Sequence, residues 1–147
     1  MLALLRTISP YSGASQLLGV YTIADAADSA RAAYLGWIEC HGDPHAEQAY
    51  RTVDVAADTR IEPLEGEHAA GSVVLVVSQM AEGFGQIVRV LKTTAATLPE
   101  ARRYAEALEA DLEWGEIERL VVDAPPLHIL TMNHANGPAI VSWSRES

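Results

Sequence analysis

The densest group of side chains that could bind a metal ion follows a predicted helix in the first half of the chain. It contains a thiol, two imidazoles and a carboxylate, from Cys40, His41, Asp43 and His45. These are the donors that zinc and similar ions prefer, but their spacing matches no zinc-binding motif and a second pair of ligands is not obvious. The alternative, which we favour, is a polar helix end, where His41 meets the negative end of the helix dipole and a turn follows.

Two further pairs of residues occupy matching places in the two halves of the chain. Tyr11 and Phe84 lie in the turns of two predicted hairpins, so two aromatic loop tips could form a binding edge. Arg51 and Arg119 lie in two predicted strands and could together bind a carboxylate or a phosphate. The alternatives are plain turn residues, and arginines that face solvent from alternating strands.

Three aromatic residues on predicted helices could line a small-molecule pocket between the helices and a sheet. They are Tyr34, Trp37 and Tyr104. Aromatic residues that share one face of a helix belong to the core more often than to a binding pocket. A core packed solid around these rings would exclude the pocket.

These candidate residues are positioned by a pattern that occurs twice in the sequence. Strands are predicted at residues 2–8 and 16–23, and again at 73–79 and 86–93, with a turn inside each pair. A helix follows each hairpin, and a third strand closes each unit, at residues 49–58 and 117–126. The offset between the copies stays near about 70 residues and aligns Tyr34 with Tyr104 and Val20 with Val90. We interpret the pattern as a duplication.

Both helices carry start signals and one apolar face. Asp25 or Asp28 could accept hydrogen bonds from the free N–H groups at the start of the first helix. Thr97 and Glu100 form a capping box at the start of the second, with Pro99 in its first turn. The apolar positions recur at helical spacing, in Ala27, Ala30, Tyr34, Trp37 and Ile38 of the first helix and Ala101, Tyr104, Ala105, Leu108 and Leu112 of the second.

The sequence therefore predicts an α+β protein made of two tandem ββαβ repeats with pseudo-two-fold symmetry. We expect an antiparallel sheet with helices on one face, plus a C-terminal β-hairpin, and the two units either pair their sheets or pack back to back. The first repeat covers residues 1–62, a linker covers 63–72, the second repeat covers 73–126, and the hairpin or tail covers 127–147.

One predicted strand suggests an oligomer. Residues 73–77 are continuously apolar, which is typical of a central strand that is buried on both faces. Such a strand needs cover beyond its own helix, from the tail hairpin or from a second chain. We therefore expect a homodimer.

The strand before the first helix resembles a small domain of uncharacterised bacterial and phage proteins. In those domains a Leu-Ile-Gly-Val-Tyr strand leads into a helix rich in Glu, Lys and Ala, and a Tyr-x-x-Asp-type strand ends the unit. The matching residues here are Leu17, Leu18, Gly19, Val20 and Tyr21, followed by Tyr50, Val53 and Asp54. The second copy has Arg89 and Leu91 at the places of Gly19 and Tyr21. The resemblance implies the fold of the unit and no activity.

Composition limits the classes of function. The chain has 147 residues, of which 49% are hydrophobic, and a net charge of −10. That charge argues against nucleic-acid binding and against an anionic membrane surface, both of which need clustered basic residues. Cys40 is the only cysteine, so nothing indicates an oxidising compartment. The short apolar N-terminus does not fit a signal peptide, and we expect a cytoplasmic protein.

Three functional hypotheses follow. The first is a non-catalytic protein-interaction or assembly module, phage- or accessory-encoded, whose acidic helix residues could dock a basic partner. The second is a small-ligand-binding protein or an enzyme of dimeric α+β type. The third is a metal-binding protein that holds a zinc-like ion with the Cys40–His45 cluster.

Overall fold

The computed structural model describes residues 1–9, 14–43, 55–83, 86–107, 114–124 and 140–144. In these ranges the secondary structure is strands β1 (Leu2–Ser9) and β2 (Ala14–Tyr21), helices α1 (Ala24–His41) and α2 (Val55–Asp58), strands β3 (Thr59–Pro63), β4 (Val73–Gly83) and β5 (Gln86–Ala95), helix α3 (Leu98–Ala107), and strands β6 (Trp114–Val121) and β7 (Ile140–Ser144). The predicted α+β class is confirmed.

The strands form two antiparallel sheets. Sheet A has the order β2-β1-β3, and sheet B has the order β5-β4-β6-β7. Every hydrogen-bonded pair of neighbouring strands is antiparallel. Strand β7, which lies in the predicted tail, extends sheet B beside β6. Residues 125–139, which include most of the predicted C-terminal hairpin, lie outside the described residues.

The two sheets stack face to face through a shared apolar core. Ala3 and Leu5 of sheet A pack with Val74 and Val76 of sheet B in this core. Because side chains alternate along a strand, the neighbouring residues point to the outer faces. There Leu4 packs against α1 and Val77 packs against α3. Each sheet therefore has one helix on its outer face and the other sheet on its inner face.

This stacking explains the continuously apolar strand. Strand β4 is central in sheet B, as predicted. Its inner residues Val74 and Val76 are covered by sheet A, and its outer residue Val77 is covered by α3. The cover that the sequence led us to expect from a second chain is supplied, for these residues, by the first half of the same chain.

Both hairpins contain a β-bulge at the same place. In sheet A, Leu2–Leu4 pair with β2 in one register, and the register shifts after Leu4. In sheet B, Leu75–Val77 pair with β5 in one register, and the register shifts after Val77. In both sheets the first strand of the hairpin lies at the centre, and a third strand pairs with its other edge.

The residue equivalences expected from the sequence are wrong in register. Val20 pairs with Ala3, next to the end of β2. When the two hairpins are matched at their bulges, the corresponding pair in sheet B is Thr94 and Val76, and Val90 lies nearer the start of β5. The helix residues differ as well, because Tyr34 is buried whereas Tyr104 is 42% exposed. With the bulges aligned, Ala3 corresponds to Val76 and Val20 to Thr94, so the offset in the hairpins is 73 to 74 residues rather than about 70.

The two helices begin in different ways. Helix α3 has the predicted cap: the Thr97 hydroxyl accepts the Glu100 N–H (3.4 Å), and the Glu100 carboxylate accepts the Ala96 N–H (3.3 Å). The predicted cap of α1 by Asp25 or Asp28 is wrong, since its N-cap is Ile23 and no side chain caps it.

The third strand of the first unit lies later than predicted. Residues 55–58 form the short helix α2, and the strand is Thr59–Pro63. The carbonyl groups at this turn accept hydrogen bonds from side chains. Arg31 of α1 donates to the oxygens of Ala56 (2.6 Å) and Thr59 (2.9 Å), and the Thr59 hydroxyl donates to the Val55 oxygen (2.6 Å). Such bonds stabilise a helical turn that the local alternation of residues does not predict.

The predicted linker is held to both sheets. Leu64 is buried in the shared core. The Thr94 hydroxyl donates to the Glu65 carbonyl (2.7 Å), so its oxygen accepts from His68 Nε2 (2.9 Å). A hydroxyl has a single proton to donate, and Nε2 of His68 therefore carries a hydrogen.

The Gly19 and Tyr21 motif residues have a shared packing role. Both lie on the α1 side of β2, and a Cβ atom at position 19 would collide with the Tyr21 ring and hydroxyl. Glycine therefore leaves the space in which the buried Tyr21 ring lies. The Tyr21 hydroxyl donates to the Ala124 carbonyl beyond β6 (3.2 Å) and so ties the first unit to the second.

We predict opposite effects for alanine at two glycines. Gly19→Ala should lower the free energy of unfolding by about 2 kcal/mol, because overpacking displaces the buried Tyr21 ring. Gly36→Ala should raise it by roughly 0.5–1 kcal/mol, since Gly36 lies within α1 with no atom near the added Cβ. Urea denaturation of the two variants measures both changes, and equal effects of the same sign would contradict this packing.

Candidate functional site

A buried arginine lies between sheet A and α1. Arg6 is on β1 and has no solvent exposure. It shares the outer face of the sheet with Leu4, which packs against the helix. A fully buried guanidinium needs charged or polar partners, because desolvation of a lone ion is very costly.

Tyr34 and Asp43 provide these partners. Nη1 of Arg6 donates to the Tyr34 hydroxyl oxygen (3.1 Å), and Nη1 and Nη2 donate to the two carboxylate oxygens of Asp43 at 2.5 Å each. Paired bonds of this kind are among the strongest side-chain interactions. Burial alone would lower the pKa of Arg6, but the bonds to Asp43 and Tyr34 raise it above its ordinary value.

The end of α1 turns Asp43 toward the arginine. Gly42 has a φ of 87°, a left-handed conformation, and its N–H donates to the Ile38 carbonyl (2.7 Å). Glycine adopts this conformation at little cost. The side chain of Asp43 is 15% exposed, so the ion pair closes the cluster where α1 ends.

The other residues of the predicted metal cluster are spread around the helix end. The His41 ring stacks on the Trp37 ring with centroids 4.6 Å apart, and its Nδ1 lies 3.0 Å from the Trp37 carbonyl oxygen. Cys40 is an exposed free thiol. His45 lies outside the described residues. No group of three or more His, Cys, Asp or Glu side chains in the described ranges is arranged to hold a metal ion.

Tyr34 and Tyr104, which were predicted to line one pocket, do not lie together. Tyr34 is buried under α1 and Tyr104 lies exposed on α3, and these helices cover the outer faces of different sheets. Trp37 is half-buried and Arg119 is exposed. Tyr11, Phe84 and Arg51 lie outside the described residues, so the aromatic-tip and paired-arginine hypotheses stay predictions.

An apolar surface with a positive charge lies at one end of sheet B. Val73 and Val121 pair across β4 and β6 and are 40% and 45% exposed. They face the outer side of the sheet, in line with Arg119, which is exposed. We call Val73, Arg119 and Val121 the β6 patch.

Strand lengths explain why the β6 patch is open. In sheet A, Leu2 pairs with Tyr21 on one side and with Pro63 on the other, so the three strands end level. In sheet B, β5 ends at Ala95 opposite Leu75, while β4 and β6 continue to the Val73–Val121 pair. Helix α3 begins just after β5, so its first turn does not reach the extra pair.

Sequence reasoning missed Arg6 as a site residue. The signal was present, because Arg6 has the same strand parity as Leu2 and Leu4 within an apolar run. A charged residue on a strand face that is otherwise apolar indicates a buried ion pair. Its partner could not be identified, since Asp43 lies 37 residues away in the chain.

Comparison with known proteins gives no relative. No protein-family model, curated protein or solved structure matches this chain. Within the described ranges, none of the helices combines the length and hydrophobicity that crossing a membrane requires.

We predict that the two partners of the buried ion pair are strongly coupled. Asp43→Asn should lower the free energy of unfolding by about 3 kcal/mol, because Arg6 stays charged and buried. Arg6→Met should cost less, and adding Asp43→Asn to Arg6→Met should change little further. Chemical denaturation of the two single variants and the double variant measures the coupling; additive effects would mean that the pair does not stabilise the fold.

We also predict a loss of stability at alkaline pH from two buried tyrosines. Burial raises the pKa of both Tyr21 and Tyr34 above the ordinary value of 10.0; the nearby Asp123 carboxylate adds to the rise at Tyr21, and the bond from Arg6 opposes it at Tyr34. The folded state therefore favours the neutral phenols. Their contribution to stability is complete below pH 10 and is lost above it, as the phenols of the unfolded chain ionise.

Each tyrosine can contribute a loss of up to about 1.4 kcal/mol per pH unit in this range. Urea denaturation at about pH 9 and about pH 11 measures the loss. The Tyr21→Phe/Tyr34→Phe variant is the control and should show a smaller difference between the two pH values. An equal difference would show that other groups cause the alkaline loss.

Proposed function

We propose that this protein is a non-catalytic protein-interaction module that binds its partner through the β6 patch. The observation that carries the proposal is the exposed Val73–Val121 pair on the outer face of a sheet whose inner residues Val74 and Val76 are buried in the shared core. Exposed apolar surface rimmed by charge is typical of interaction sites. Ile23, which is 59% exposed, adds apolar surface at the same end, because its neighbour Thr22 is bonded to Asp123 just beyond β6.

The state of the polar clusters supports a binding role over a catalytic one. Arg6, Tyr34 and Asp43 bond to each other beneath α1. Thr22 and Asp123 bond to each other at the junction of the two halves (2.8 Å between Oγ1 and Oδ2). Such mutual hydrogen bonds stabilise the fold, and the polar groups that form them are already bonded to one another. The ligand-binding and metal-binding hypotheses stay predictions, and no contact among the described residues favours either.

We infer that the two units arose by duplication, with a pseudo-two-fold relation between them. The shared strand order and the shared position of the bulge support this inference. Bulges are specific features that are retained within families of structures. A duplicated unit whose inner face is buried by its own copy has an outer face that can acquire a binding role.

We predict that a photo-crosslinking amino acid at position 121 captures a partner in native cells. The side chain at this position is exposed and lies in the β6 patch. Ala33 is the control position, because it is exposed on α1, across both sheets from the patch. After irradiation, gel electrophoresis and mass spectrometry should show a discrete adduct from position 121 that is absent from position 33.

The thermal unfolding of both labelled proteins must match that of the unlabelled chain. Equal background labelling at positions 121 and 33, with no discrete adduct from either, would overturn the proposed interaction role of the β6 patch.

A further inference from the structure

The outward face of β6 has a chemistry that suits one kind of partner. Glu116 and Glu118 alternate with outward residues and point toward sheet A, where Glu118 is buried. The outward residues are Ile117, which is buried under α3, then Arg119 and Val121. The outward face therefore has a positive charge and an apolar side chain next to each other, although the chain has a net charge of −10.

Arg119 differs from the three arginines of the first unit that the structure describes. Arg6 pairs with Asp43, Arg60 pairs with Glu62 at 2.7 Å, and Arg31 donates to backbone carbonyls. Arg119 forms no salt bridge with any residue that the structure describes. Its side chain is exposed, and a guanidinium can bind a carboxylate in the paired geometry that arginine favours.

Charge also argues against a second copy of this chain as the occupant. A symmetric dimer places the same surface of both chains together, so Arg119 would lie close to Arg119 of the other copy. The chain's net charge of −10 disfavours nucleic acid as the occupant.

We propose that the β6 patch binds an acidic, apolar segment of a different protein. A carboxylate of the segment pairs with Arg119, and a neighbouring apolar side chain covers Val73 and Val121. This inference names the partner of the surface described above, and so it rests on the proposed interaction role.

The test places the crosslinking residue at position 121 in three further variants of the full chain. Arg119→Glu reverses the charge of the patch, and Arg119→Lys keeps it. Ala32→Glu/Ala33→Glu is the matched control, because it changes the net charge as much as Arg119→Glu does but at exposed positions on α1.

We expect Arg119→Glu to lower the yield of the adduct roughly tenfold, because a like charge now faces the partner's carboxylate. Arg119→Lys and the α1 double variant should keep most of the yield. The crosslinked peptide, sequenced by mass spectrometry, should contain Asp or Glu next to large apolar residues.

Three results would overturn the inference. An adduct that forms equally well with Arg119→Glu would exclude a charge-selected partner while leaving the interaction role intact. An adduct of two copies of this chain, or an adduct with a basic peptide, would also exclude the acidic partner while leaving the interaction role intact. The absence of any adduct from position 121 in the unaltered chain would remove both the inference and the role on which it rests.

Discussion

The fold depends on burying the inner faces of two small sheets against each other. Each sheet has a helix on its outer side, and each inner face is apolar, with Ala3 and Leu5 opposite Val74 and Val76. A single unit of this size would leave half of its apolar sheet surface in water and would be marginally stable. The stacking also brings Asp123, whose φ is 62°, next to Thr22. Its bonds to Thr22 offset the cost of this sparsely populated conformation.

The sequence predicted those elements whose signals are local. The α3 start needs only Thr97 and Glu100, which are three residues apart, and it is correct. The α1 start was predicted wrongly from Asp25 or Asp28, because its N-cap is Ile23 and no side chain caps it. The short helix before Thr59 accepts bonds from Arg31 of α1, at Ala56 and Thr59. This interaction joins segments that are distant in the chain, and a local pattern contains no information about it.

The same distinction separates the candidate site from its prediction. Asp43 was singled out for its carboxylate and its position after a helix, and both observations hold. Its role was misjudged because the sequence does not show that Arg6 is buried beneath the same helix. The bidentate bond uses both oxygens of the carboxylate. Of the predicted site residues that the structure describes, Arg119 is the one that lies in the exposed β6 patch.

A comparison of Arg6 with Gln79 suggests how the two halves came to differ. Each residue lies on the central strand two positions after the last pair before the register shift. Each is buried, and each has one nitrogen without a hydrogen-bond partner in the described structure. The charged residue requires a counterion, and Asp43 supplies it at the end of α1, which at 18 residues is long enough to cross the sheet. The neutral amide of Gln79 does not require a counterion.

The outer face of sheet A is therefore closed at both ends, by the Arg6–Asp43 pair and by the bond from Tyr21 to Ala124. The outer face of sheet B instead continues past the start of its helix into the exposed Val73–Val121 pair. The proposed duplication and the proposed interaction role would assign the stabilising contacts to the first unit and the open surface to the second. The structural difference between the two outer faces is one of strand length and one of charge, because β4 and β6 extend past β5 and Gln79 stands where sheet A has Arg6.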